Sequence, residues 1–389
     1  MSRIRVAIAG VGNCASALVQ GVAYYAERPP SPGDSETGSS PLAGLMHPDL
    51  GGFRPQDIEF VAAFDVDVRK VGRTLEEAVF AKPNCARIFQ STLPASGVRV
   101  APGPVLDGVA DLMASQPEDR AFRIAEARPV DVAETLRRSG AEVLVGYLPV
   151  GAEAAVAHYA EACLEAGVAF VNCVPVFIAS DPDWANRFRR AGVPIVGDDI
   201  KSQVGATIVH RMLSRLMADR GVILDRTYQL NTGGNTDFLN MLERKRLASK
   251  KRSKTESVQS QLDVRLPDDQ IHIGPSDYVP WQEDNKVAFI RAEGRGFGDA
   301  PIELELRLSV QDSPNSAGVV IDAIRYAKLG LDRGIGGPLE AACAWTMKSP
   351  PVQMREEQAR VALEDFIEAK SLTQSLEAGR AVESKERSS

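Results

Sequence analysis

The sequence has only four histidines (His47, His158, His210 and His272), and they do not cluster, so a histidine-based metal centre is not expected. Its five cysteines (Cys14, Cys85, Cys163, Cys173 and Cys343) form no CxxC pair and show no metal-ligand spacing. They are expected to be reduced and mostly buried. No apolar run approaches the roughly 20 residues that span a bilayer, and residues 1–26 show no signal-peptide cleavage pattern. Basic excess is missing too: a net charge of −7 argues against a general nucleic-acid surface. These absences lead to the expectation of a soluble cytoplasmic protein with neither nucleic acid nor membrane as a partner. At 389 residues the chain is long enough for two domains.

The pattern along the chain then divides it. Arg5–Ala9 is a short apolar run, followed at once by a glycine turn and by helical spacing over Ser16–Tyr25. A Pro/Gly/Ser-rich stretch from Arg28 to Gly44 reads as a surface loop. Further apolar runs at Ile58–Phe64, Val143–Leu148, Ala169–Val174 and Pro194–Val196 are separated by helical stretches at Ala152–Glu165 and Asp183–Arg190. Apolar strands alternating with helices predict an α/β fold with a parallel sheet covered on both faces. After about Gln203 the pattern changes. Val204–Met217 predicts an amphipathic helix, and Arg226–Leu230, Lys286–Arg291 and Ile302–Val310 predict strands. The last of these alternates cleanly, so one of its faces is expected to be solvated. Glu243–Lys254 is a basic stretch, Ala317–Lys328 is again helical, and the end of the chain is polar. The pattern sets an α/β domain over 1–200 apart from an α+β unit over 201–310, followed by a segment over 311–372 and a polar tail over 373–389.

Gly10, Gly12 and Ala15 form a Gly-x-Gly-x-x-Ala turn directly between a strand and a helix. That context lets the backbone approach a pyrophosphate at the helix N-terminus, with Asn13 and Cys14 in the same turn. Asp65 ends the second strand, where a carboxylate accepts from ribose hydroxyls, which favours NAD over NADP. It lies 53 positions after Gly12 rather than the usual roughly 20, an excess that the Pro/Gly/Ser loop accounts for. Asn172 ends another predicted strand, on the edge that faces a cofactor. The competing reading is a structural βα turn in an α/β protein that binds no nucleotide.

Several further stretches stand in a fixed order. They are Gly197-Asp-Asp-Ile-Lys-Ser-Gln203, Asn231-Thr-Gly-Gly-Asn-Thr-Asp237, Ser249-Lys-Lys-Arg-Ser-Lys254, Asn285-Lys-Val-Ala288, Gln311-Asp-Ser313 and Met347-Lys-Ser-Pro350. With the opening Gly10–Ser16 they resemble the myo-inositol-1-phosphate synthase family, its bacterial (actinobacterial and archaeal) branch, over most of the chain. The resemblance implies a Rossmann-type NAD-binding domain over 1–200, an inserted α+β catalytic domain over 201–310 through which a homotetramer assembles, and a return segment over 311–372 that completes the first domain, with bound NAD and glucose 6-phosphate as substrate. It further implies an isomerase: C5 is oxidised, C6 is enolised, C6 attacks C1 to close the ring, and C5 is reduced again. Such chemistry places enolate and alkoxide charge beside a phosphate dianion, which calls for several lysines around one pocket. A lysine crowded by cations also gives up its proton more readily.

Carried over residue by residue, the resemblance places Lys250 and Lys286 near the C5 oxygen and Lys348 at the C1 carbonyl oxygen. Lys254 falls to phosphate or sugar-oxygen contact. Asp312 and Asp237 orient lysines or hydroxyls, and Asn235 belongs to the same substrate-side motif. Asp198 and Asp199 precede Lys201, Ser202 and Gln203 at an expected helix start, which offers N–H groups and a hydroxyl to the substrate phosphate. A carboxylate of the Asp198–Asp199 pair is then left for the nicotinamide amide. Asp198, Asp199 and Asp312 are the carboxylates available to a monovalent or divalent cation, though no ligand spacing establishes one.

Taken singly, each feature has a plainer reading. The basic stretch reads as a solvated face, Asp-Asp as an N-cap, and the lone lysines as surface residues. Arg252 stands where an apolar residue is expected, so it either shifts the neighbouring lysines' pKa values or points outward. Two other functions stay open at this point: a dehydrogenase of another phosphorylated or carboxylated substrate, and a non-catalytic NAD or sugar-phosphate sensor.

Overall fold

The computed structural model describes residues 3–28, 43–246, 248–274 and 277–368, without the side chains of 248–251. Most of the Arg28–Gly44 loop and the whole polar tail lie outside the described residues.

Strand residues point alternately to the two faces of a sheet. In β1 (Ile4–Ala9) the side chains of Ile4, Val6 and Ile8 enter one core cluster, and those of Ala7 and Ala9 enter another. A strand that is apolar on both faces needs cover on both. The strands that join it are β2 (Ile58–Asp65), β3 (Val100–Pro102), β4 (Val143–Gly146), β5 (Ala169–Asn172) and β6 (Pro194–Val196). All pair in parallel, in the order β3-β2-β1-β4-β5-β6. The order reverses between β1 and β4, and such a switch point opens a crevice at the strands' carboxyl ends. Helix α1 (Asn13–Ala26) covers the first face, while α2 (Leu75–Ala78) lies beyond β2. On the second face pack α3 (Val132–Ser139), α4 (Glu153–Ala166) and α5 (Pro182–Ala191), through Leu136, Val156 and Phe188.

After β6 the chain leaves this sheet. It forms α6 (Ala206–Asp219), β7 (Ile223–Gly233), α7 (Thr236–Asn240) and α8 (Ala248–Gln259). Strands β8 (Ile271–Ile273), β9 (Asp277–Tyr278), β10 (Asn285–Arg295) and β11 (Pro301–Gln311) follow. The second sheet runs β11-β10-β7-β8, with β9 beside β7, and its long strands β7, β10 and β11 are antiparallel. Met217 of α6 and Val258 of α8 pack on one face with Leu224, Ile273 and Ala292. On the other face Leu230 sits opposite Phe289 and both are exposed. Strand β11 is the edge; its even positions from Leu304 to Val310 are only half-buried and its odd positions up to Ser309 are exposed.

The chain then returns through α9 (Asp312–Asp332), which is buried almost continuously from Ser313 to Gly330 against α1 and the first sheet. Strand β12 (Gly337–Pro338) pairs with β6 as the seventh strand, followed by α10 (Glu340–Thr346) and α11 (Glu356–Ile367). Several elements differ in extent or character from the sequence reading. The strand expected over Arg226–Leu230 runs three residues further at each end. The helix expected from Ala317 begins at Asp312. The basic stretch is a short 3-10 turn followed by α8, and α8 buries Ser253, Lys254 and Ser257 rather than lying solvated throughout. No helix among the described residues is long and apolar enough to cross a membrane.

Candidate active site

The crevice at the β1/β4 switch point begins with the glycine turn. Gly10 has φ +93°, and a Cβ there would stand 2.6 Å from the Tyr147 carbonyl oxygen, so both conformation and space demand glycine. At Gly12 nothing of the protein lies within 4 Å of such a Cβ, so its smallness answers to whatever enters the crevice. Gly12 is also the N-cap of α1, which has no acidic residue in its first turn and no side-chain cap. Unpaired N–H groups and the positive end of the helix dipole therefore face the crevice, a fit for a pyrophosphate. Ala15 is wholly buried in the core, where its small side chain permits close helix–sheet packing.

Asp65 uses its carboxylate first on its own surroundings. Oδ2 accepts from Val11 N–H at 2.7 Å, and Oδ1 accepts from the N–H groups of Val66 and Asp67 at 2.7 and 2.8 Å. It lines a cavity beside the main crevice, shared with Gly10, Gly12, Val105 and Tyr159. Asn13 likewise spends Oδ1 on the N–H groups of Cys85 and Ala86, at 2.7 and 2.9 Å, although it lines the crevice. The Cys14 thiol lies 3.9 Å from Ser313 Oγ. Burial, reinforced by Asp284, Asp312 and Asp237, pushes that thiol up to about 12, so it stays neutral.

Across the crevice stand the lysines. Lys254 of α8, Lys286 of β10 and Lys348 after α10 line it together with Asp199, Ser202, Asn235, Asp237 and Asp312. Lys286 Nζ pairs with Asp312 Oδ1 at 3.2 Å. Lys348 Nζ donates to Asp199 Oδ1 at 2.8 Å and to the Ile200 carbonyl at 2.7 Å, which leaves its third donor. Its position comes from a short antiparallel ladder: Asp198 and Ser349 exchange hydrogen bonds, and Lys201 N–H donates to the Thr346 carbonyl. Ser253 Oγ, on α8, donates to the second oxygen of Asp199 at 2.7 Å. One carboxylate therefore ties α8 and Lys348 to the loop after β6. Asn235 caps α7, accepting from the N–H groups of Asp237 and Phe238. The side chain of Lys250 lies outside the described residues.

Four of the expected site residues turn elsewhere. Asp198 is wholly buried and accepts from Asn172 Nδ2, from Ser180 Oγ and from the N–H groups of Ile178, Ala179 and Ser180. Burial raises it to about 6 against those hydrogen bonds. Asn172 gives its amide to Asp198 and to the Val176 carbonyl, so this pair braces the loop after β5, and neither residue lines the crevice. Lys201 buries its ammonium against the Ala344 carbonyl and Glu356, and Gln203 donates to the Gly44 carbonyl. No helix begins at Asp198–Gln203 to aim these side chains, because α6 starts only at Ala206, with Gly205 as N-cap. Of Lys201, Ser202 and Gln203, Ser202 alone lines the crevice. Arg252 is exposed, and its guanidinium lies 5.3 Å from the Phe177 ring centroid. With Asp198 turned inward, Asp199 and Asp312 are the carboxylates of the proposed cation set that line the crevice; no group of three or more potential metal ligands occurs among the described residues.

The sequence reading passed over Asp284, which stands two residues before Lys286. It is buried, accepting from Asn235 Nδ2 at 3.0 Å and from Ser313 N–H and Oγ at 3.1 and 2.8 Å. Burial, then the nearby Asp312, raises its carboxyl to about 6. It joins the starts of α7 and α9, and with them Asp237 and Asp312. Its proximity to Lys286 was the available signal, but nothing in the local pattern marks a buried carboxylate.

The myo-inositol-1-phosphate synthase family model matches residues 205–313. An inositol-3-phosphate synthase from Mycolicibacterium smegmatis is 57% identical over 369 residues, covering 94% of this chain and 98% of that one. One from Corynebacterium glutamicum is 54% identical over 371 residues, with the same coverage. The solved inositol-3-phosphate synthase of Caenorhabditis elegans shares the fold, with a TM-score of 0.72 at 14% identity over 94% of this chain and 86% of that one. With a glycine-turn crevice, a lysine wall and relatives at this identity over nearly their whole length, the chain belongs to the myo-inositol-1-phosphate synthase family.

Proposed function

We propose that this chain is an inositol-3-phosphate synthase, an isomerase that converts D-glucose 6-phosphate into 1D-myo-inositol 3-phosphate with no net redox change. The observation that carries the reading is the convergence of Lys254, Lys286 and Lys348 on a crevice whose other wall is a nucleotide-type glycine turn. Gly12, the uncapped start of α1 and Asp65 fit NAD: open space and N–H groups for the pyrophosphate, and a fixed carboxylate for a ribose hydroxyl. Bound NAD supplies a hydride acceptor at C5 of the sugar and later the hydride donor, so it is regenerated in each turnover.

The protein's own groups meet the remaining demands. A C5 ketone makes the C6 protons acidic, and the enolate formed on losing one carries negative charge on the C5 oxygen. Lys286, held by Asp312, stabilises that oxygen, with Lys250 as its partner in the role. Attack of C6 on C1 turns the aldehyde oxygen into an alkoxide, and the remaining Nζ donor of Lys348 stabilises and protonates it. Lys254 and Ser202 hold the phosphate, and Asn235 and Asp237 the sugar hydroxyls. Asp199 and Asp312 are the positions for a monovalent or divalent cation. The reading includes a homotetramer formed through the second sheet, where the paired Leu230 and Phe289 are exposed. It also includes a cytoplasmic location and a place at the first step of inositol and phospholipid synthesis.

Incubation with glucose 6-phosphate and catalytic NAD⁺, followed by phosphorus NMR and NADH absorbance, tests this. An inositol monophosphate without NADH build-up is the expected outcome. Steady NADH accumulation identifies a dehydrogenase instead, and bound NAD with unchanged sugar phosphate identifies a sensor.

A further inference from the structure

Lys70 is wholly buried, yet it lines neither the crevice nor the neighbouring cavity. A buried ammonium is tolerated only where hydrogen bonds and opposite charge replace its water. Lys70 Nζ donates to the Val11 carbonyl at 2.7 Å and to Asn84 Oδ1 at 2.9 Å. Asn84 Nδ2 donates to that same carbonyl at 3.1 Å and to the Val79 carbonyl at 3.0 Å. The Val11 N–H is held from the other side by Asp65, at 2.7 Å. Val11 lies between the two glycines of the turn, and charged side chains grip both its backbone N–H and its C=O.

The Val11–Gly12 peptide is trans, and in a planar trans peptide the C=O and the following N–H point in opposite directions. Fixing the carbonyl toward Lys70 and Asn84 thus directs the Gly12 N–H away from them. Gly12 lines both cavities, with empty space beside its Cα. Burial holds the Lys70 amine below the ordinary lysine range, and Asp65, which grips the other end of Val11, offsets part of that effect together with Asp67.

We infer that Lys70, assisted by Asn84, is a positioning residue for dinucleotide binding: it holds the Val11 carbonyl so that the Gly12 N–H points at the pyrophosphate. This rests on the NAD reading above. It assigns a function to a side chain that lines neither cavity, and to Asn84, which lines the crevice beside the turn.

The test compares Lys70→Met with the wild type, using full-length protein and two probes in calorimetric or NMR titration. ADP-ribose carries the pyrophosphate, and adenosine does not. The expected result is an ADP-ribose dissociation constant raised about 30-fold, the loss of one well-aimed hydrogen bond to a charged group. Adenosine affinity is expected to change less than about threefold, because the cavity it fills is intact. A folded variant that loses both probes equally reports a collapsed pocket and overturns the inference, as does one that retains ADP-ribose affinity. Wild-type protein that binds neither NAD⁺ nor ADP-ribose overturns the NAD reading and the inference with it. If Lys70→Met does not fold, Asn84→Ala carries the same comparison. It removes one of the two donors to Val11, with an expected ADP-ribose loss of about fivefold, and equal loss of both probes again overturns the inference.

Discussion

The glycine-turn wall of the crevice presents backbone, whereas the opposite wall presents side chains. On the first, the uncapped start of α1 at Gly12 offers N–H groups, and Asp65, Lys70 and Asn84 hold the Val11 N–H and C=O from behind. On the second, Lys254, Lys286 and Lys348 reach in from three separate segments, and the last two are each paired with a carboxylate. The first wall sits on a sheet buried on both faces; much of the second rises from a sheet with one bare face. A backbone surface is altered without disturbing the fold only where, as at Gly12, an added side chain meets open space. A side-chain surface can lose its chemistry while the fold stays.

That contrast sets how each wall fails when altered. Lys286→Ala and Lys348→Ala are expected to lower kcat about a thousandfold, each by removing a donor from developing oxyanion charge. Their melting temperatures should stay within a few degrees of wild type, and a parallel loss of stability would show that the lysine wall is structural. Gly10→Ala and Gly12→Ala divide the other wall. The first is expected to cost about 2 kcal/mol or more of stability through its positive φ and the Tyr147 carbonyl. The second should stay within about 1 kcal/mol in denaturant titration yet weaken NAD binding about tenfold. Equal effects at the two positions would erase the distinction between them.

The smallest expected effect concerns the charge balance behind the lysine wall. The folded Asp284 carboxyl titrates at about 6, above its ordinary 3.8, so the folded protein keeps a proton that the unfolded chain has already lost. Stability from this group is present below the unfolded value and is lost as pH rises through about 6. Asp284→Asn removes that titration. The variant's melting temperature should therefore gain on wild type between pH about 4 and about 7, by the linkage of proton binding to folding. A difference that does not vary with pH would mean that Asp284 is not raised in this way.

The nucleotide half of the site was the more legible in the sequence. Its determinants are local: strand, glycine turn and helix are contiguous from Ile4 to Ala26, and Asp65 ends the strand paired with β1. The failures come from side chains whose partners lie far along the chain. Asp198 and Lys201 look like ligand groups in their own segment, but Ser180 takes up the first and Glu356 the second. Lys70 and Asp284 look unremarkable in theirs, and only the packing of the glycine turn and of α7 and α9 gives them work.

By itself, the order of apolar runs and turns determined a parallel α/β sheet with a nucleotide turn at its first crossover, because a strand apolar on both faces must be covered on both. The ordered motifs pointed to the lysines. What only the tertiary structure decided is which polar side chains face the crevice and which brace it. A carboxylate or an ammonium reads the same in sequence whether it meets substrate or a buried partner. The difference lies in what the fold brings within about 3 Å of it, and hydrogen bonding at that distance is set by packing.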